Sequence, residues 1–131
     1  MIVGLGIDLV ELDRIEKSLR RFSLRFAEKL LHPDERVNFA KFADPLSPGA
    51  VAHLAARFAA KEAAVKALGT GFAQGIILHD VRVLSRASGQ PDIFLHNLAL
   101  ARADELGVVR THLSLSHARK SACAVVVLES D

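Results

Sequence analysis

At 131 residues the chain is long enough for one sizeable hydrophobic core and too short for two ordinary domains. Half the residues are hydrophobic, but only seven are aromatic, all Phe, so an aliphatic, alanine-packed core is expected. A net charge of +2 without basic–aromatic interleaving argues against nucleic acid, and the single cysteine, Cys123, allows neither an internal disulfide nor a Cys/His zinc site.

Residues 2–10 read as a strand. With period-two alternation, Val3, Leu5, Ile7 and Leu9 share one face, and Gly4, Gly6 and Asp8 share the other. Glycines inside a strand weaken it and mark close approach by a backbone or a ligand, which leaves Asp8 as a carboxylate on a bare face. This N-terminal run has no basic leader and is broken by Asp8, so neither a signal peptide nor a membrane span is expected, and a reducing cytoplasm is the expected location. Helical segments follow over about 12–30. Arg14, Arg21 and Arg25 fall at i, i+7 and i+11, one edge of a helix if that helix is unbroken, beside a stripe of Ile15, Leu19, Phe22 and Phe26. The ridge reads as a solvated basic face or as a docking edge for an acidic helix. Pro33 suits the first turn of a short helix running to about Phe42, and Asp44 to Gly49 is a loop.

A long helix is expected over about 50–68, with Val51, Leu54, Ala55, Phe58, Val65 and Leu68 as its apolar stripe. Glu62 falls on that stripe, where a carboxylate is costly unless a cation or metal meets it. Lys66 lies one turn on and reaches the same space, while Arg57 and Lys61 put two cations on an adjoining face. Gly69 is a stop signal, and Gly69-Thr70-Gly71 offers bare backbone to a ligand. A glycine-capped helix with a tolerated Glu–Lys pair fits this segment as well as a ligand site does. Asp8 and Glu62, from distant segments and on faces expected to turn inward, together with waters make a set suited to one Mg²⁺.

Residues 76–84 read as a strand, Ser88 to Pro91 as a turn and 92–96 as a second strand. Asn97 is a candidate cap for a helix ending at Gly107. Strands at about 110–116 and 121–128 flank a turn at His117 to Lys120. Ser114 and Ser116 point away from Leu113 and Leu115. His117 opens the turn, either as a donor to a phosphate or a nucleotide base or as an exposed histidine without a role. Cys123 reads as a small core hydrophobe. The mixture is α+β in a single domain, residues 1–131.

Three blocks together resemble the holo-acyl-carrier-protein synthases, the small 4′-phosphopantetheinyl transferases. They are Gly4-Leu5-Gly6-Ile7-Asp8-Leu9-Val10-Glu11-Leu12; Arg57 to Ala63 with Lys66 and Gly69-Thr70-Gly71; and Leu113 to His117, followed by Ala122 and the valine run. Their order and separations fit over nearly the whole chain. The region of about 27–50 departs most, with Leu31-His32-Pro33-Asp34-Glu35 in place of a threonine-containing start. The resemblance implies an antiparallel sheet packed against a long central helix. It implies transfer of the 4′-phosphopantetheine arm from coenzyme A to a serine of apo-acyl carrier protein, in fatty acid or polyketide biosynthesis. Adenosine 3′,5′-bisphosphate leaves.

The same resemblance makes Asp8 and Glu62 the Mg²⁺ ligands. A water stands where larger relatives carry a third carboxylate and this chain has Val10. Asp8, Glu62 and Lys66 are then the catalytic set, with Glu62 taking the serine proton directly or through a metal-held water. Arg57, Lys61, Lys66, Gly69, Thr70, Gly71, Ser116 and His117 would bind coenzyme A. Arg14, Arg21 and Arg25 would meet the carrier protein. A single motif set in so short a chain implies a homotrimer with sites at subunit boundaries. The rivals are a non-catalytic nucleotide-binding or adaptor module and a Mg²⁺-dependent phosphohydrolase.

Overall fold

The alternating N-terminal segment forms a ten-residue strand, β1 (Ile2–Glu11), in the computed structural model, which describes residues 1–131. Helices α1 (Leu12–Phe22), α2 (Leu24–Leu30) and α3 (Pro33–Phe39) lead to the long helix α4 (Pro48–Leu68). The hairpin β2 (Val81–Ser85) and β3 (Pro91–Leu95) follows, then α5 (Asn97–Leu106) and the hairpin β4 (Val108–His117) and β5 (Ser121–Ser130). The main sheet is antiparallel in the order β1-β5-β4, and β2-β3 forms a separate antiparallel pair. No helix is long and apolar enough to cross a membrane.

Local chemistry sets the bounds of α4. Ser47 accepts a hydrogen bond from the Ala50 amide at 3.2 Å, Pro48 occupies the first turn, and Gly69 closes the helix at φ 78°. The helix lies along β1 at backbone contact. A Cβ at Gly6 would overlap the carbonyl oxygen of Ala63, and one at Gly4 would overlap that of Ala67. The bare strand face is therefore bare for a helix. Ala122, Ala124, Val126 and Leu128 of β5 complete this inner layer, all nearly inaccessible.

The opposite face of the sheet is open. Leu5, Ile7 and Leu9 are 67 %, 59 % and 69 % exposed, and Val125 and Val127 stand beside Ile7 and Leu5 in register. The apolar alternation of β1 thus points outward. Cys123, expected in the core, lies on this outer face between Leu9 and Ser116.

Several boundaries differ from those expected. Helix α4 starts at Pro48, inside the expected Asp44 to Gly49 loop, because Ser47 caps it. The helical stretch 12–30 breaks at Ser23, whose φ of 54° and ψ of −146° end α1. The helix begun at Pro33 ends at Phe39. Residues 78–80 form a 3-10 turn before β2, because the Asp80 carboxylate accepts from the Ile77 amide at 3.0 Å and the Asn97 amide group at 2.9 Å. Asn97, bound to Asp80, does not cap α5. The cap position is His96, and Asn97 itself takes φ 53°. Gly107 ends α5 as expected, at φ 75°.

Candidate active site

Asp8 belongs to the glycine row of β1, so its carboxylate projects beside α4. Lys66 closes on it: its ammonium donates to Asp8 Oδ1 at 2.9 Å and to the Ile7 carbonyl at 3.1 Å. Asp8 is mostly covered, whereas half of the Lys66 side chain stays in solvent. Glu62 lies one helical turn before Lys66 on the same side. Partial burial pushes the Glu62 carboxyl up from its ordinary value and the Asp8 charge pushes it further, while Lys66 and Arg14 pull it back. Strand and helix therefore gather two carboxylates and an ammonium in one corner.

The donor set fits Mg²⁺. Two neighbouring carboxylates, of which Glu62 is raised by the Asp8 charge, make a hard oxygen site, and Mg²⁺ commonly takes one or two carboxylates, with waters and phosphate oxygens completing its octahedron. No group of three or more His, Cys, Asp or Glu gathers anywhere in the chain.

Arg14 stands at the rim of this corner, its guanidinium 5.3 Å from the centroid of the Phe58 ring. Arg21 covers the ring of its neighbour Phe22 at 5.1 Å. The break at Ser23 divides the expected basic ridge, so Arg25 belongs to α2 instead of extending the edge of α1. There it lines a cleft of about 490 Å³ with Ser18, Phe22, Phe26, Lys29 and Phe58. Lys29 and Phe58 were not singled out for this surface. Their signal was present in the spacing, since Lys29 follows Arg25 by four residues.

Lys61 corrects the expectation of a phosphate ligand. Its side chain is fully buried, and its ammonium donates to Glu35 Oε1 at 2.7 Å and the Leu78 carbonyl at 2.9 Å. The amine points away from the corner of Asp8 and Glu62. Glu35, which carries no motif signal in the sequence, also accepts from the backbone amides of His32 at 2.9 Å and Val83 at 3.0 Å. Arg57 is partly buried beside this pair. Burial lowers its pKa, and the Glu35 charge opposes that shift. One turn earlier His53 packs against Phe39 and Phe42, and burial, reinforced by Arg57, pushes it down to about 4.

Gly69, Thr70 and Gly71 finish α4, the amides of Thr70 and Gly71 both returning to the Val65 carbonyl. Gly71 takes φ 60° with open space around its α-carbon. Ser116 and His117 are exposed at the end of β4, the edge opposite β1. Two strand spacings, roughly 10 Å, separate the two edges. Ser116 shares the outer face with Leu9 and Cys123, whereas Asp8 turns inward. A single chain therefore does not bring Ser116 into the corner of Asp8, Glu62 and Lys66.

A family model described as the 4′-phosphopantetheinyl transferase superfamily matches residues 4–126. The holo-[acyl-carrier-protein] synthase of Solidesulfovibrio magneticus is 54 % identical over 129 residues, covering 98 % of this chain and 99 % of that protein. Among solved structures, the holo-[acyl-carrier-protein] synthase of Neisseria meningitidis superposes with a TM-score of 0.85 at 36 % identity, covering 99 % of this chain and 100 % of that one. The holo-(acyl-carrier-protein) synthase of Bacillus anthracis, in complex with CoA (3′,5′-ADP), superposes with a TM-score of 0.81 at 37 % identity, covering 100 % and 99 %.

Proposed function

The chain belongs to the holo-[acyl-carrier-protein] synthases of the 4′-phosphopantetheinyl transferase superfamily, and from that membership we propose how its own residues carry the reaction. The enzyme transfers the 4′-phosphopantetheine group of coenzyme A to a serine of apo-acyl carrier protein. The serine oxygen forms a bond to the pantetheine-side phosphorus. The P–O bond to the nucleotide phosphate breaks, and adenosine 3′,5′-bisphosphate leaves.

The observation that carries the assignment is the meeting of Asp8, Glu62 and Lys66. Asp8 and Glu62 would hold Mg²⁺, which when bound supplies positive charge to the pyrophosphate. Lys66, half in solvent, has the freedom to turn from Asp8 to a phosphate oxygen and to balance the charge that develops as the nucleotide leaves. Glu62, whose proton affinity is raised, is suited to take the serine proton. Gly69, Thr70 and Gly71 follow the C-terminal end of α4, one turn from Lys66, where they would offer bare backbone to the diphosphate. Arg14, Arg25 and Lys29 around the Phe-lined cleft suit an acidic helix carrying the target serine.

The functional unit in this reading is a homotrimer, acting in the cytoplasm. Two features support assembly: the exposed apolar face of Leu5, Ile7 and Leu9, and the placing of Ser116 and His117 on the edge opposite Asp8. Heterologous contacts closing a threefold ring let one copy supply the carboxylates and its neighbour the nucleotide wall with Ser116 and His117.

Mass spectrometry of apo-acyl carrier protein incubated with coenzyme A tests the assignment. One phosphopantetheine should be added with Mg²⁺ present and none with a chelator. Cleavage of coenzyme A without modification of the carrier points to a phosphohydrolase, and binding without turnover to a nucleotide-binding module. Unchanged transfer in the chelator removes the metal from the reading.

A further inference from the structure

We propose that the buried Glu35–Lys61 pair is a positioning device that sets the roll of α4 about its axis, and thereby where Glu62 and Lys66 stand. This rests on the assignment of Glu62 and Lys66 to the reacting corner.

The pair joins four elements at one point. Lys61 sits on α4 and Glu35 in the first turn of α3. Glu35 takes one bond from the middle of β2, through Val83, and Lys61 gives one to the 3-10 turn, through the Leu78 carbonyl. The His32 amide on Glu35 Oε1 fixes the carboxylate from its own helix. Each of these bonds is directional.

Apolar packing on α4 is less so. Its buried surface carries eight alanines beside only four larger apolar side chains, Val51, Leu54, Val65 and Leu68, which lie towards its two ends. Methyl groups present low ridges, and a helix packed through them tolerates a change of roll better than one locked by large interdigitating side chains. Stability alone is a poor reason for the pair, because a buried ion pair roughly breaks even against well-packed apolar residues. Directionality is what it adds.

The lever is short. Glu62 follows Lys61 directly, about 100° further round the helix. With its carboxylate roughly 6 Å from the axis, a 15° roll moves it by about 1.5 Å. Displacement of about 1 Å at a reacting centre is enough to cost about 100-fold in rate.

The decisive variant is the double Glu35→Gln/Lys61→Met. It removes both charges together, so no orphaned charge is left; the new amide oxygen accepts from only one of the Val83 and His32 N–H groups, and its circular dichroism and melting temperature are therefore matched against the stability control below. Lys61→Arg, which keeps the charge and alters the reach, is the second variant. Ile93→Ala, a core truncation on β3, is the control for simple loss of stability. We expect kcat to fall at least tenfold in the double variant and in Lys61→Arg, with KM for coenzyme A and carrier protein within threefold of wild type. Ile93→Ala should keep its kcat at a similar melting temperature. Amide shifts of Asp8 and Lys66 in the metal-free protein should move in the pair variants and stay in Ile93→Ala. A folded pair variant with the kcat and amide shifts of the control overturns the proposal. If wild-type transfer needs no Mg²⁺, the metal assignment falls, while the kcat and the metal-free shifts still judge the pair.

Discussion

Glu62 sits where opposing fields meet: burial and the Asp8 charge raise its proton affinity, and Lys66 and Arg14 lower it. A carboxyl whose folded pKa lies above its unfolded value favours the fold below the unfolded pKa, and that contribution is lost as pH rises through the folded value. Glu62→Gln should therefore raise the melting temperature of metal-free protein at pH 7. The gain should shrink on acidification and vanish below the ordinary carboxylate range, while transfer is abolished. Calorimetry across pH checks the first part; a variant no more stable at pH 7 than wild type shows that Lys66 and Arg14 dominate instead. Asp8→Ala should remain folded by circular dichroism and also lose transfer, and near-wild-type turnover would remove its catalytic assignment. His53 works in the opposite sense. Its folded pKa of about 4 lies below the ordinary 6.5, so stability present above 6.5 is lost as pH falls toward 4. Urea unfolding of His53→Phe should show a flatter decline between those values; an unchanged slope would mean that another group governs this limb. Asp8 and Glu62 were legible because each interrupts a pattern. Lys61 is hidden from periodicity because a stripe through Phe58 and Glu62 leaves it on the adjoining face, although it stands seven residues after Leu54 and four before Val65.

At the scale of elements, the contact of β1 with α4 places the corner, and it depends on missing Cβ atoms. Gly6→Ala drives a methyl into the Ala63 carbonyl, a backbone atom that cannot swing aside. Overpacking of this kind costs about 3 kcal/mol. Chemical denaturation should show that loss, with transfer falling as the strand lifts from the helix; a wild-type denaturation midpoint would mean the approach is soft. The α1–α2 corner makes a different element. The turn at Ser23 brings Arg25 and Lys29 round to a cleft floored by Phe26 and Phe58, a concave surface that a straight helix lacks. Arg25→Glu should raise KM for the carrier protein about tenfold, more at low salt, and leave coenzyme A affinity within twofold. An equal loss of coenzyme A binding would put Arg25 in the nucleotide pocket.

At the scale of the whole molecule, the sheet has an inner face covered by α4 and an outer face covered by nothing in the chain. Burying side chains such as Leu5, Ile7 and Leu9 contributes about 1.5–3 kcal/mol each, enough in sum to drive assembly. Sedimentation equilibrium should give a mass near three times the 14.2 kDa chain. Ile7→Glu should shift it to the single-chain mass and abolish transfer, although Asp8, Glu62 and Lys66 are untouched. Full activity at single-chain mass would rule out a shared site.

What the residues alone determined is what acts within a turn or two of chain. The glycine row of β1, the Gly69 stop of α4 and the stop at Gly107 depend on neighbours a few positions away. So does the placing of Glu62 one turn before Lys66. Tertiary structure decided the rest. It broke the helix at Ser23, drew Asn97 off its cap to Asp80 and turned the apolar face of β1 outward. It also took Lys61 from the candidate ligands and gave it to Glu35, 26 positions earlier. Periodicity records which residues share a face; which face is covered, and by what, is settled only when distant segments compete for the same buried volume.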